Sequence, residues 1–377
     1  MKITAAVLRD AESVQSIEEL ELREPRAGEI LVEIVAAGLC HTDLLPRQRG
    51  FFASPPLVLG HEGAGVVRVV GPGVPDISVG DRVLLSYAAC GDCLNCHRGQ
   101  PYCCYRFFAV NMTGRCADGT YGPMSDGVTA ELGSSWFGQS SFATHTVVAA
   151  SNVVRVDPDL PLHLLAPLGC GFQTGAGAVM NVIRPQPGSS LAVIGVGAVG
   201  LAAVMAARAE GVDIIVAVDR QPARLEAARK AGATVTIDAS SGDLRRELRA
   251  AVARGGIDAV IDTTGHPAVV GAAIDSVRPG GTVALVGSSN AAISIAPGAL
   301  ALGKTLVGVI EGNAVPRDFL PRLIATWRAG RFPIDDLITT YPLTDIDQAE
   351  RDLRDGAVIK PVIMPSLARK CGDVEGR

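Results

Sequence analysis

The chain has 377 residues, 48% of them hydrophobic and 19% charged, with a formal net charge of −5, the balance of a folded protein long enough for two ordinary domains. No sustained cluster of Lys and Arg supplies the electrostatic footprint of nucleic-acid binding. Acidic residues interrupt the N-terminal MKITAAVLRDAESVQSIEEL where a signal peptide has an apolar core, and no stretch reaches the roughly 18 apolar residues of a membrane span. A cytoplasmic protein with neither nucleic acid nor membrane as partner is therefore expected. In that reducing compartment the nine cysteines point to metal binding or reactivity rather than disulfides.

Over the first 150 or so residues, short Val/Ile/Leu runs such as ILVEIVAAG, GAGVVRVVGPGV and DRVLLSY alternate with Gly and Pro. This pattern predicts small antiparallel strands in a barrel-like domain. From Ser189 to about Gly312 the texture changes: SLAVIG, DIIVAVD, TVTID, IDAVIDTTG, GTVALVG and TLVGVIEG are separated by helical stretches. Six such strands predict a parallel, doubly wound sheet, so the fold class is α/β. A helix around PRDFLPRLIATWRAG and a closing strand near VIKPVIMP follow, and the polar tail after Pro365 is read as frayed.

Within IGVGAVG, Gly195, Gly197 and Gly200 form G-x-G-x-x-G between a strand and a helix that begins near Ala198 and Val199. The first glycine permits the turn, the second lets backbone approach a pyrophosphate, and the third lets helix and strand pack closely. Asp219 ends the next strand, where a carboxylate accepts hydrogen bonds from ribose hydroxyls and repels a 2′-phosphate, so NAD is expected over NADP. Arg224, one turn into the following helix, is a second candidate for the ribose edge. Arg220 is a complication, since an arginine there can also greet a 2′-phosphate, but it reads as a solvated loop charge.

Two cysteine constellations carry metal chemistry. Cys90, Cys93, Cys96 and Cys104 can close a tetrahedral zinc shell from one short stretch, and a shell with no open position stabilises structure. An iron-sulfur cluster accepts the same four thiolates and a redox pair is a further reading; zinc is favoured. Spacing does not separate Cys104 from its neighbour Cys103, and Cys104 is taken as the fourth ligand. The second set is dispersed: Cys40 in AGLCHTDL, His61 with Glu62 in LGHEGAGVV, and Cys170 in PLGCGFQTG. Two thiolates and an imidazole leave one corner of a zinc ion open, as a catalytic site requires.

With GLCHTD, GHEGAGVV, CGDCLNC, GCGFQTG and GVGAVG in this order, essentially the whole chain resembles the zinc-dependent medium-chain alcohol dehydrogenases. The resemblance implies a GroES-like barrel of residues 1–171, to which 314–377 return, and a Rossmann domain over 172–313, with the active site in the cleft between them. It implies that Cys40, His61 and Cys170 hold a catalytic zinc and that Cys90, Cys93, Cys96 and Cys104 hold a structural one, two zinc ions per chain with NAD. Thr42 would relay the substrate proton, Asp43 would steady His61, and Glu62 would sit behind the metal. Thr174 would touch the nicotinamide, and Lys360 would meet the pyrophosphate. Relatives often carry a histidine three residues after the relay hydroxyl. Here Leu45 stands there, so the proton must leave otherwise, through His41 or water. A homodimer or homotetramer is expected.

Between Cys104 and His145 lie Phe107, Phe108, Trp136 and Phe137, in a chain with only 4% aromatics. These rings can line an apolar substrate pocket, although core packing or a subunit interface accounts for them equally well. FGQSSFATH and the long segment before it resemble the aryl-alcohol (benzyl alcohol) dehydrogenase branch, which implies reversible oxidation of an aromatic or allylic primary alcohol to its aldehyde. The alternatives are a terpene-alcohol (geraniol) enzyme, a formaldehyde dehydrogenase acting on a thiol adduct, an enzyme that never releases its cofactor, and, remotely, a non-enzymatic NAD-binding protein.

Overall fold

A computed structural model describes residues 1–48, 51–128, 131–240, 242–252, 255–289 and 291–366. The tail expected to be frayed falls almost entirely outside the described residues. The chain divides into two compact units, one of Met1–Cys170 with the stretch from Leu337 on, the other of Gly171–Asp336.

The first unit is built on the strand Glu29–Gly38, whose aliphatic run ILVEIVAAG gives the β-branched and alternating residues a pleated surface favours. It pairs antiparallel with Glu62–Val70, His145–Ala149 and Lys360–Met364 inside a seven-stranded sheet. A second, four-stranded sheet places Lys2–Leu8 between Leu57–Val58 and Ser16–Leu22. Ile3, Val7, Leu20, Leu22, Leu31, Val58 and Val147 fill one buried cluster of this unit. Each such side chain contributes about 1.5–3 kcal/mol on burial. Two functional segments are thereby fixed: Cys40 follows the end of Glu29–Gly38, and His61 immediately precedes Glu62–Val70.

The second unit holds six parallel strands in the order Val235–Asp238, Ile214–Asp219, Ser190–Ile194, Ile257–Asp262, Val277–Leu285 and Thr305–Gly308. Counted from Ser190–Ile194 as the first, that order is 3-2-1-4-5-6, the doubly wound dinucleotide-binding arrangement. SLAVI and IIVAV are almost wholly buried, as strands covered on both faces must be.

The expected return to the barrel at about residue 314 lies later, at Leu337. The helix Pro316–Arg328 packs with the second unit. It buries Phe319, Leu320, Leu323 and Ile324, and Arg322 pairs with Glu210 at 2.8 Å. Just after it, Phe332 meets Phe172 edge to face, with ring centroids 6.4 Å apart.

Candidate active site

One ligand atom from each of Cys40, His61, Glu62 and Cys170 falls within a 4.8 Å group. Cys40 caps the short 3-10 helix His41–Arg47, and Cys170 ends the 3-10 turn Ala166–Gly169. Asp43 lies on the first of these turns and is buried, and its Oδ1 stands 2.8 Å from His61 Nδ1. With Nδ1 committed to a carboxylate, Nε2 is the imidazole nitrogen left for a metal. Among the described residues Nε2 is a buried ring nitrogen with no hydrogen-bond partner. That orphaned atom beside two thiols fits a zinc ion with an open position, and Cys40, His61 and Cys170 are the residues that would hold it.

The electrostatics agree. A hydrogen bond with Cys170, aided by the charge of Lys360, holds the Cys40 thiol well below its ordinary value against the opposing effect of burial. Burial works against a charged His61, but Asp43 and then Cys40 raise its pKa well above the usual imidazole value. Thr42, on the same turn, sets its Oγ1 3.8 Å from Cys40 Sγ.

Lys360 differs from expectation, while Glu62 lies in the ligand group, where a residue behind the metal is expected. The Lys360 ammonium is 2% exposed and donates to both Glu62 oxygens, at 3.0 and 2.9 Å, and to the Leu39 carbonyl. It is enclosed in the barrel unit behind the ligand group rather than presented to a pyrophosphate, because Lys360 opens a strand paired with Ile338–Pro342 and its stem runs inward to Glu62, whose charge, with those of Cys40 and Cys170, offsets its burial. Burial raises the Glu62 pKa, and the facing lysine moderates the rise. Gly38 makes room for this carboxylate, since a Cβ there would stand 1.9 Å from Glu62 Oε2.

The second metal group, Cys90, Cys93, Cys96 and Cys104, also converges within 4.8 Å. Cys104 Sγ lies 3.4 Å from Cys90 Sγ, and Cys93 Sγ lies 3.5 Å from Cys96 Sγ. Backbone N–H groups of Cys90 and Arg106 both donate to Cys104 Sγ, while Cys103 is exposed and outside the group. Backbone N–H donors of Tyr105 and Cys96 lower Cys93 to about 6, and burial pushes Cys90 up to about 12. Four thiols, with no further His, Asp or Glu donor in the group among the described residues, suit a closed zinc shell.

In the second unit, Gly195 adopts φ +85°, and a Cβ on Gly200 would stand 2.0 Å from the Gly195 carbonyl, so the turn closes only with glycine at both places. Gly197 caps the helix Ala198–Ala209 and borders open space, where backbone can approach an anion at the helix N-terminus. Asp219 accepts from the backbone N–H groups of Val196 (2.9 Å), Arg220 (2.8 Å) and Gln221 (3.0 Å). It therefore orders the glycine loop. Arg224 lies 3.9 Å from Asp219, Arg220 is exposed, and Thr174 lies on the buried helix Gly171–Gly177.

The aromatic residues divide. Trp136, Phe137 and Phe107 are buried, whereas Phe108 is 54% exposed beside the exposed ring of Phe52, at 5.7 Å. Sequence reasoning missed three contacts of this segment. Trp136 Nε1 donates to Asp43 Oδ1 at 3.0 Å, Phe137 stacks on the His61 ring at 4.5 Å, and Gln139 donates to the His61 carbonyl at 2.8 Å. The one signal was the concentration of aromatics itself, which left pocket lining, core packing and a subunit interface equally open.

Fold, cysteine groups and glycine loop together define a zinc- and nicotinamide-dependent oxidoreductase, and the comparisons with known proteins agree. Residues 26–158 match the alcohol dehydrogenase GroES-like domain and residues 198–326 match the zinc-binding dehydrogenase domain. The sequence is 43% identical to geraniol dehydrogenase of Castellaniella defragrans, over 96% of this chain and 97% of that one. It is 34% identical to an S-(hydroxymethyl)glutathione dehydrogenase of Synechocystis, over 96% of this chain and 100% of that one. The benzyl alcohol dehydrogenase structure from Acinetobacter calcoaceticus superimposes with a TM-score of 0.92 at 38% identity, over 97% of this chain and 99% of that one. The chain belongs to the zinc-dependent medium-chain alcohol dehydrogenase family, whose cofactors are zinc and NAD. No helix among the described residues is long and apolar enough to cross a membrane.

Proposed function

We propose that the protein oxidises aromatic or allylic primary alcohols, benzyl alcohol and geraniol being the type substrates, reversibly to their aldehydes with NAD. The observation that carries the substrate class is the run of rings leading outward from the buried Trp136: Phe51 (6.2 Å from Trp136) and Phe52 (5.4 Å from Phe51) out to the exposed Phe108. Flat or unsaturated apolar substrates match such surface better than a charged thiol adduct does. The geraniol and benzyl alcohol dehydrogenases among the relatives support the same class.

Zinc, when held by Cys40, His61 and Cys170, supplies the Lewis acidity that makes an alcohol hydroxyl easier to deprotonate, and NAD supplies the two-electron acceptor. Thr42, whose Oγ1 stands 3.8 Å from Cys40 Sγ, takes the substrate hydroxyl proton as it gives up its own. A hydroxyl is too weak a base to keep that proton, so it must pass onward. Leu45 cannot carry it, which leaves His41 or solvent as the exit. Asp43 keeps His61 turned with Nε2 toward the thiols.

The test is NAD reduction with benzyl alcohol, geraniol, ethanol and formaldehyde plus glutathione, before and after zinc removal. Turnover of the first two that disappears on chelation and returns with zinc supports the proposal. If none of the alcohols reduces NAD with zinc fully loaded, the dehydrogenase reading fails; a preference for the glutathione adduct, which the Synechocystis relative makes the second reading, overturns only the substrate class.

A further inference from the structure

We infer that Trp136 is a positioning residue for the catalytic metal ligand His61, acting through its indole N–H on Asp43. The inference rests on Cys40, His61 and Cys170 as zinc ligands and on nothing about the substrate.

Asp43 is 3% exposed and its carboxylate meets four donors: His61 Nδ1 at 2.8 Å, Trp136 Nε1 at 3.0 Å and the Gly60 N–H at 3.1 Å on Oδ1, and the Cys40 N–H at 3.0 Å on Oδ2. Trp136 supplies the third donor on Oδ1, the oxygen that faces His61, and does so from a segment 93 residues away. An indole N–H can only donate, and Trp136 is fully buried, so this bond is the use to which its polar atom is put.

The neighbouring residues hold His61 in two further ways. Phe137 lies over the imidazole at 4.5 Å with the planes 27° apart. It does so from the left-handed region, φ 51° and ψ 33°, which a non-glycine residue adopts at a cost that packing must offset. Gln139 accepts from the Gly63 N–H at 3.0 Å and donates to the His61 carbonyl at 2.8 Å, bracing the backbone on both sides of Glu62. Residues 136–139 thus fix the ring edge through Asp43, the ring face, and the main chain. Of the readings open for these aromatics, packing holds for Trp136 and Phe137, which aim a metal ligand and leave the outer rings Phe51, Phe52 and Phe108 for substrate.

Partners of a metal-bound histidine typically change metal affinity by about 10- to 100-fold when removed. The full-length protein is therefore compared with Trp136→Phe, which keeps a ring and loses the N–H, with Asp43→Asn, and with the double variant, by chelator competition and bound zinc per chain. The expected result is that Asp43→Asn weakens one of the two zinc sites by about tenfold or more and leaves the other unchanged, that Trp136→Phe weakens the same site by more than about twofold, and that it adds little once Asp43 is already Asn, since both act through one carboxylate. The ¹⁵N indole resonance of Trp136, distinguished from the chain's other tryptophan, Trp327, by its loss in Trp136→Phe, is expected to shift when zinc is withdrawn. A role in packing alone would lower stability while leaving zinc affinity within twofold, or would add fully to Asp43→Asn, or would leave the indole resonance unmoved; any of these overturns the inference. Should Trp136→Phe not fold, the indole resonance decides, with a Trp327→Phe chain giving the assignment. A wild-type chain that takes up no zinc at Cys40, His61 and Cys170 refutes the zinc reading itself, and is told apart by failing before any variant is compared.

Discussion

The Lys360 ammonium and the Glu62 carboxylate lie 2.9 Å apart, 2% and 0% exposed, on strands separated by 298 residues. Removing one partner of such a pair leaves an uncompensated buried charge, which costs about 3–5 kcal/mol. Lys360→Met is therefore expected to lower the denaturation midpoint sharply, and Glu62→Gln in the same chain to recover much of the loss. If Lys360 served the pyrophosphate instead, the substitution would raise the KM for NAD with little change in stability, and Glu62→Gln would rescue nothing.

Cys104 and Cys103 should separate cleanly. Cys104 Sγ is within 3.4 Å of Cys90 Sγ and receives two backbone N–H groups, while the thiol of Cys103 is exposed. Cys104→Ala is expected to cost one zinc per chain and to lower stability before activity, because a structural zinc shell is part of the folding free energy. Cys103→Ala should retain both metals by elemental analysis. The reverse pattern would move the fourth ligand to Cys103.

At Asp219 two roles meet. Substitution by Gly removes the negative charge expected to reject a 2′-phosphate and also the acceptor for the Val196 N–H. The ratio of kcat/KM for NAD over NADP should fall by about tenfold or more, most of it as lost NAD binding together with gained NADP binding. An unchanged ratio would mean that the carboxylate orders the loop without reading the ribose.

Asp258 provides a pH prediction for the coenzyme unit. Its carboxylate accepts from Arg278 Nε at 2.6 Å and from the Ser190 hydroxyl and N–H at 2.7 and 2.8 Å. Against the opposing effect of burial, these donors, Arg278 first, hold its pKa below the usual value. A carboxyl whose pKa is depressed on folding contributes stability above its unfolded value, near 3.9, and loses it as the pH falls through the folded value. Asp258→Asn should therefore cost about 1 kcal/mol at neutral pH, discounted for partial exposure. The gap between the two proteins should close as the denaturation midpoint is followed below about pH 4. A gap that is constant with pH would show that the charge is not what matters.

The central strands of the coenzyme unit were readable because SLAVI and IIVAV are unbroken aliphatic runs bounded by glycine or a polar turn, the mark of a strand covered on both faces, and the others recur between helical stretches at the same spacing. The metal groups were readable because few residue types bind zinc and their glycine-flanked spacing is distinctive. What was not readable depends on long-range pairing. Nothing local to Trp136 announces that its N–H reaches Asp43 across 93 positions, and nothing near Lys360 says whether its stem runs inward to Glu62 or outward to a ligand. The return to the barrel was set too early for a related reason. An amphipathic helix such as Pro316–Arg328 shows that one face is buried without showing against which sheet.

The most direct measurement is kcat/KM with NAD for geraniol and benzyl alcohol beside ethanol and S-(hydroxymethyl)glutathione, on protein whose zinc content has been counted. The expected result is two zinc ions per chain and a clear preference for the unsaturated and aromatic alcohols over both competitors. Full zinc occupancy with a preference for S-(hydroxymethyl)glutathione, or with no alcohol turned over at all, would contradict it.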